Sequence, residues 1–404
     1  MRILLAANAS YRPPRGGATR SNLVWLDHLA RAGHQCRIVA AASQEGAELP
    51  FHPSIALAAI AQPAARVEAL QHEIREFAPD WVLVSSEDLG HALLREARHI
   101  APGRVVYLAH TPQFFPFGRE SWSPDRHAAQ AVAGAAGIVT IGAHMAGYVA
   151  AESGRTAAVI HPPIYGAGPF PTCASFDRGL VTMVNPCAVK GISLFAATAR
   201  RLPRCQFGAV PGWGTSAQDR RLLDPLPNVR FLPNARRIDD ILSQTRVLLM
   251  PSLWYEGFGL IVMEAMLRGI PVIASDSGGL REAKCGTGYV IPVQPIERYQ
   301  PVFDEHGMPR PVQPANDVAP WVDAVAELTG RRDAWERASE AARAAATAFV
   351  GGLNAGDLEA WLTALRPADP PAGEAAQEAA TMESLSPEKR ELLLRRLHRR
   401  KICT

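Results

Sequence analysis

Glu256 and Glu264, with seven residues between them, fall in a block that leaves few choices of fold: PSLWYEGFGLIVMEAMLRGIPVIASDSGGLRE, residues 251–282. An apolar run from Val247 to Met250 ends in Pro251-Ser252, a glycine-rich turn follows, and an amphipathic helix begins. A second apolar run, Pro271 to Ala274, closes on Gly278-Gly279. The pattern predicts a strand–loop–helix–strand unit whose polar residues lie at the carboxyl ends of strands, where open α/β sheets bind ligands. Gly257-Phe258-Gly259 bares backbone N–H groups at the start of the helix, a place suited to an anion. Carboxylates at such a place accept from hydroxyls, not from phosphates. Two of them beside an anion cradle suit a ligand that is part polyol and part diphosphate, and a sugar nucleotide is such a ligand.

The rest of the chain fits that frame. Its 404 residues predict two domains with some length over. A hydrophobic share of 48% and a charged share of 20% are those of an ordinary soluble globular protein. The net charge of +3 gives no broad footprint for nucleic acid. The 6 cysteines are scattered without a Cys-x-x-Cys pair, which reads as reduced cytosolic thiols and not as a disulfide framework or a zinc site. Arg2 to Ala7 is too short for a signal peptide and reads as a first buried strand. The stretch from His127 to Ala151 lacks Asp, Glu, Lys and Arg, but it is rich in Ala and Gly and divides into helix, strand and helix. It is not read as a membrane span.

Short apolar runs alternate with helical patterns through residues 1–170, and the alternation starts again at Gly179. Strands are predicted at Arg2–Ala7, Cys36–Ala41, Trp81–Ser85, Val105–Ala109, Ile138–Ile141 and Ala157–Ile160, then at Leu180–Val184, Gln206–Val210, Val229–Leu232, Val247–Met250, Val272–Ala274 and Tyr289–Ile291. Such alternation implies parallel, doubly wound sheets. Pro162 to Pro171 makes a hinge, Pro292 to Pro320 a surface excursion, and Val322 to Ala348 a helix. The expected division is a first domain over residues 1–170, a second over 171–350, a crossover helix over 351–366 and a linker with a basic tail helix over 367–404.

The Glu-x7-Glu block resembles the signature of the retaining GT-B glycosyltransferases of family 4. Leu226–Leu232 and Ile238–Ser252 look like the strand and helix that precede the signature there, Val184–Gly191 looks like the family's Lys-Gly phosphate element, and Met1–Ala42 looks like its first strand, Gly-Gly loop and helix. The resemblance spans most of residues 1–366. It implies an α/β protein of GT-B fold, two doubly wound Rossmann-like domains facing across a cleft, here with a C-terminal extension. It also implies transfer of a sugar, with retention at the anomeric carbon and without a metal, from a UDP, GDP or dTDP sugar to an acceptor hydroxyl.

Residue by residue, the resemblance makes Lys190 the cation on the diphosphate, Glu264 the carboxylate on the ribose and Glu256 the carboxylate facing the donor sugar. The backbone of Gly257, Phe258, Gly259 and Leu260 would meet sugar or phosphate. His110, at the end of a strand, would reach the donor sugar near its reacting carbon; the alternative is a histidine that only caps the strand. Gly16 and Gly17 would let the backbone approach the diphosphate, and the arginines at 12, 15 and 20 suggest an anionic ligand unless they are simply solvated. The family's usual Arg before the Lys is missing from Met183-Val-Asn-Pro186, so either Asn185 or an arginine from elsewhere serves, or the donor is held more weakly. Gly212-Trp213-Gly214 is either a phosphate loop or a plain turn. The aromatics at 114, 115 and 117 either grip an apolar acceptor or pack their own loop. No Asp or Glu stands out as a nucleophile, which agrees with a front-face mechanism.

Residues 385–401 carry Leu393, Leu394 and Leu397 on one side among basic residues. They resemble a segment at module joints of nonribosomal peptide synthetases, which implies natural-product assembly acting on a peptide or lipopeptide; glycolipid or polysaccharide biosynthesis is the other expected setting of the sugar transfer. The same helix suits the inner face of a membrane, and a disordered end is the third reading. The expected location is the cytoplasm, at most peripheral to the membrane. A non-catalytic scaffold or sensor that only binds sugar nucleotides is the alternative function.

Overall fold

A computed structural model describes residues 1–14, 16–42, 51–235 and 237–368. The tail helix expected at 385–401 lies outside the described residues. The first sheet holds β1 (Arg2–Ser10), β2 (Gln35–Ala41), β3 (Ile55–Ile60), β4 (Trp81–Ser85), β5 (Val105–Ala109), β6 (Gly137–Thr140) and β7 (Ala158–Val159). The second holds β8 (Leu180–Val184), β9 (Phe207–Val210), β10 (Val229–Phe231), β11 (Thr245–Met250), β12 (Val272–Ser275) and β13 (Val290–Ile291). A small hairpin, β14 (Tyr299–Phe303) and β15 (Pro309–Pro311), stands apart. Helices α1 (Gly16–Arg31), α2 (Pro63–Phe77), α3 (Ala92–Ile100), α4 (Arg126–Ala133) and α5 (Ala143–Ser153) serve the first sheet. The second is served by α6 (Ile192–Arg201), α7 (Ala217–Leu223), α8 (Ile238–Leu242), α9 (Leu260–Leu267), α10 (Leu280–Ala283) and α11 (Ala319–Gly330), followed by α12 (Arg332–Gly351) and α13 (Asp357–Ala364).

Both large sheets are parallel throughout, in the orders β3-β2-β1-β4-β5-β6-β7 and β10-β9-β8-β11-β12-β13. Strand order reverses between β1 and β4 in one and between β8 and β11 in the other, and the crevices outside these switch points are where such sheets bind ligands. β4, β5 and β6 are buried along their whole length, as continuous apolar runs covered on both faces must be. Residues 127–151 form α4, β6 and α5, as their pattern predicts, and no helix among the described residues is long and apolar enough to cross a membrane.

Three elements differ from expectation. β3 was not predicted, because Ile55-Ala-Leu-Ala-Ala-Ile60 is rich in alanine, a weak strand former. The proline-rich excursion contains the β14–β15 hairpin, with Pro301, Pro309 and Pro311 tolerated because each strand is an edge. The long helix expected over 322–348 is two, α11 and α12, divided at the extended Arg331.

α13 lies on the first sheet's domain. Leu358 and Leu362 are buried in a core shared with β1, β2 and β4, and Trp81 Nε1 donates to the Leu362 carbonyl at 3.1 Å. That core runs on through Phe258, α9 and α12, so apolar packing links the two sheets.

One buried charge sits beneath the second sheet. Lys284 is 2% exposed, and its Nζ donates to the Val272 carbonyl at 2.5 Å. Burial pulls the ammonium down to about 7. The folded pKa lies below the unfolded one, so the penalty is full below pH 7 and fades as pH rises toward the unfolded value. Lys284→Met is expected to stabilise the fold by on the order of 3 kcal/mol at pH 6, with a smaller gain near pH 10. Denaturant melts at the two pH values check this, and an equal gain at both would count against a buried, titrating lysine.

Candidate active site

The polar residues of the second domain gather at its switch point. After β8 a 3-10 turn, Ala188–Lys190, places Lys190 with 9% exposure. Gly191 follows against the end of β11, so close that a Cβ there would run into the Pro251 carbonyl. That approach brings Lys190 Nζ to 2.5 Å from Glu256 Oε1 and 4.5 Å above the Trp254 ring. Ser252 Oγ donates to the same carboxylate oxygen. Two sequence candidates separated by 66 positions therefore form one buried ion pair.

From the first domain, His110 arrives at the end of β5, 3% exposed. Its Nε2 faces Asn22 Oδ1 at 2.8 Å, and Asn22 Nδ2 donates to Tyr11 and Ser85 at 2.8 and 3.0 Å. Because the two hydroxyls take the amide's N–H groups, its oxygen faces His110, which fixes the proton on Nε2 and leaves Nδ1 an acceptor. Nδ1 is buried without a hydrogen-bond partner. Burial lowers the imidazole's pKa against the opposing pull of Glu87, so the neutral ring prevails at neutral pH. Asn22 is a residue that sequence pattern does not single out. Its one signal is a polar side chain on the buried face of α1, beside Trp25 and Leu26.

The two domains touch here. A Cβ on Gly257 would collide with the His110 carbonyl oxygen. Glu282, at the start of α10, accepts from Ala143 N and His144 N at 2.8 and 2.9 Å, capping the amino end of α5 across the cleft. Tyr255 stacks on His144 with ring centroids 5.1 Å apart.

Glu264, on α9, is 5% exposed and accepts from Arg20 of α1 at 2.9 Å. The Tyr165 hydroxyl nearby is buried without a partner, and burial, then the Glu264 charge, raises its pKa well above normal. Gly16 opens α1 beside Trp213, and Gly17 lies against Leu260, the first residue of α9, just past Gly259. Phe258 stacks on Phe349 of α12 at 5.6 Å and meets His161 edge-on, so its ring belongs to the core and only its backbone remains for a ligand.

Asn185 spends its side-chain oxygen inside the protein, accepting from Gly214 N at 2.9 Å and Thr215 Oγ1 at 3.4 Å. Gly214 N is therefore already partnered, and the Gly212–Gly214 segment is a turn held by Asn185. Of the arginines read as anion ligands, Arg20 is held by Glu264, Arg12 lies over the Phe51 ring, and Arg15 is outside the described residues. Phe115 and Phe117 pack into the first domain's core against Tyr107 and Tyr148, so these rings pack the loop and do not grip an acceptor. Phe114 packs against Trp122 with the rings tilted, and Trp122 in turn meets Trp254.

Residues 179–299 match the family model described as glycosyl transferases group 1. Among curated protein sequences, none matches the chain. Among solved structures, sucrose-phosphate synthase from Thermosynechococcus elongatus aligns with a TM-score of 0.66 at 16% identity, covering 96% of this chain and 100% of that one. Anabaena HepE in complex with UDP and glucose aligns at 0.63 and 16% identity, over 89% and 99% of the two chains. WaaG, a glycosyltransferase involved in lipopolysaccharide biosynthesis, aligns at 0.62 and 14%, over 90% and 99%. The fold is GT-B, two Rossmann-like domains on parallel sheets. With the family match over the second domain, it supports a glycosyltransferase.

The Gly257 contact is open to test. Gly257→Ala is expected to force the domains apart, raising the radius of gyration in small-angle scattering while circular dichroism stays unchanged. An unchanged radius would show that the His110 carbonyl does not limit closure.

Proposed function

We propose that the chain is a retaining glycosyltransferase, akin to family 4, that moves a sugar from a nucleoside diphosphate to an acceptor hydroxyl. The observation that carries this reading is the Lys190–Glu256 pair at the second switch point, with the neutral His110 on the opposing domain.

The pair gives a neutral resting site. When a diphosphate enters, the Lys190 ammonium turns to its oxygens, and Glu256 is released to accept from hydroxyls of the donor sugar. The N–H groups of Phe258 to Leu260 meet the same ligand at the start of α9. His110 Nδ1, held by the Asn22 bond to Nε2, accepts from a further sugar hydroxyl. The bond between the anomeric carbon and the diphosphate oxygen breaks, the acceptor oxygen bonds that carbon on the same face, and the acceptor proton passes to the departing phosphate oxygen. Fixed cations and dipoles of this kind stabilise the leaving charge without rearranging during the step.

Glu264 is proposed to take two ribose hydroxyls, which releases Arg20. The freed guanidinium replaces the missing family arginine on the diphosphate. The UDP and glucose bound by HepE favour a UDP-sugar donor. Transfer in natural-product, glycolipid or polysaccharide assembly stays with the expectation drawn from residues 385–401. A scaffold without turnover is the competing reading, and slow hydrolysis of a donor by the purified protein separates the two.

Calorimetry with UDP, GDP and dTDP tests the core of the proposal. One nucleotide is expected to bind, with affinity falling about tenfold or more in Glu264→Ala, as for a lost pair of hydrogen bonds from charged groups. Failure of all three nucleotides to bind would overturn the assignment.

Arg20→Ala separates the phosphate role from the ribose role. It is expected to weaken the diphosphate while leaving the affinity of the bare nucleoside equal or improved, since Glu264 is then free. Equal losses for both ligands would remove Arg20 from the phosphate site.

A further inference from the structure

Beside the Glu256 turn lies a cavity of about 550 Å³, walled by both domains. The first domain lends Arg119 and Glu120, from the loop after its buried aromatics, and His144 of α5. The second lends Tyr255 and Asp276, and the excursion beyond β13 lends Glu297 and Tyr299. Nothing in the donor arrangement uses this space.

Its position ties it to the reacting groups. Tyr255 immediately precedes Glu256, and Gly278, another wall residue, packs on the Glu256 backbone. On the other side the Tyr299 ring meets Trp122 at 5.4 Å, Trp122 meets Trp254 at 6.0 Å, and Lys190 Nζ lies over Trp254. The packed rings of Tyr299, Trp122 and Trp254 therefore connect the cavity's wall to the Lys190–Glu256 pair. Tyr255 and Tyr299 line the cavity itself, and such rings present faces to the C–H groups of a sugar.

The charges select the occupant. Three carboxylates, Glu120, Asp276 and Glu297, face one guanidinium, Arg119, which lies 3.7 Å from Glu152. Arg281 reaches Asp276 only at 3.9 Å, and burial lowers the pKa of His144, so it adds no reliable positive charge. Burial, opposed by Arg119 and helped by Glu152 and Glu297, raises the Glu120 carboxyl. Carboxylates accept from hydroxyls and ammonium groups and repel phosphates and carboxylates.

We propose that this cavity is the acceptor site and that it takes a non-anionic saccharide, a neutral glycoside or an amino sugar, with Glu120 and Glu297 as its specificity-determining residues. This rests on the glycosyltransferase reading. A hydroxyl of that saccharide supplies the attacking oxygen, and its proton leaves on the donor phosphate.

The test uses the full chain loaded with the nucleotide that binds it. Methyl glucoside, methyl glucosaminide and methyl glucuronide are titrated at millimolar concentration by saturation-transfer NMR. The first two are expected to bind, and the glucuronide about tenfold or more weakly, the cost of like charges brought together. Glu297→Lys, with nucleotide affinity unchanged as the check on folding, is expected to narrow the gap to about threefold or less. The inference is overturned if the glucuronide binds as well as the glucoside, if Glu297→Lys leaves the ratio unchanged, or if no glycoside responds while the nucleotide binds. Loss of nucleotide binding itself is a different failure and sinks the function on which the cavity's role rests.

Discussion

The buried contact between Lys190 and Glu256 organises this molecule. Either charge alone would be costly where it lies, because removing one partner of a buried pair leaves an uncompensated ion, at roughly 3–5 kcal/mol. The pair therefore needs both chain segments, after β8 and after β11, to end at the same point in space. Parallel pairing of β8 with β11 brings the strand ends together, and Gly191 allows the last close approach to the Pro251 carbonyl. The sheet order and one missing Cβ thus set the central charges.

The second domain's share of the site was legible because its residues obey spacing rules. Glu256, Gly257 and Glu264 sit in a local block, and a strand end followed by a glycine turn and a helix has few alternatives in three dimensions. Lys190 was legible for the same reason. What stayed hidden depends on contacts between distant segments. The Arg20–Glu264 bond joins residues 244 positions apart, and the Asn22–His110 bond joins residues 88 apart. No local pattern encodes either, since a polar residue on a helix face looks alike whether it meets water or another domain.

The aromatic loop shows the same limit from the other side. Phe114, Phe115 and Phe117 carry the composition of a binding surface and of a core segment equally well. Tyr107 and Tyr148 decide the matter by burying Phe115 and Phe117, and both lie outside the loop. Likewise Asn185 commits its side-chain oxygen to the Gly212–Thr215 turn, while its Nδ2 is buried without a hydrogen-bond partner. Hydrogen-bond capacity is counted atom by atom, and an amide whose oxygen is used inside the protein still has its N–H groups to offer.

The carboxylates of the cleft are satisfied within the chain. Both glutamates of the signature are held by cations of the chain itself, Lys190 for one and Arg20 for the other. A diphosphate sugar offers matching replacements, anionic oxygens for the cations and hydroxyls for the carboxylates. Under the proposed function, binding is an exchange of partners, and its net gain is smaller than the sum of new contacts. The Arg20 bond crosses between domains, so the proposed exchange at Glu264 would also loosen one of the links that hold them. Glu282 on the amino end of α5 and Gly257 against His110 do not depend on those charges. They hold the two halves of the candidate site in register independently of the cations.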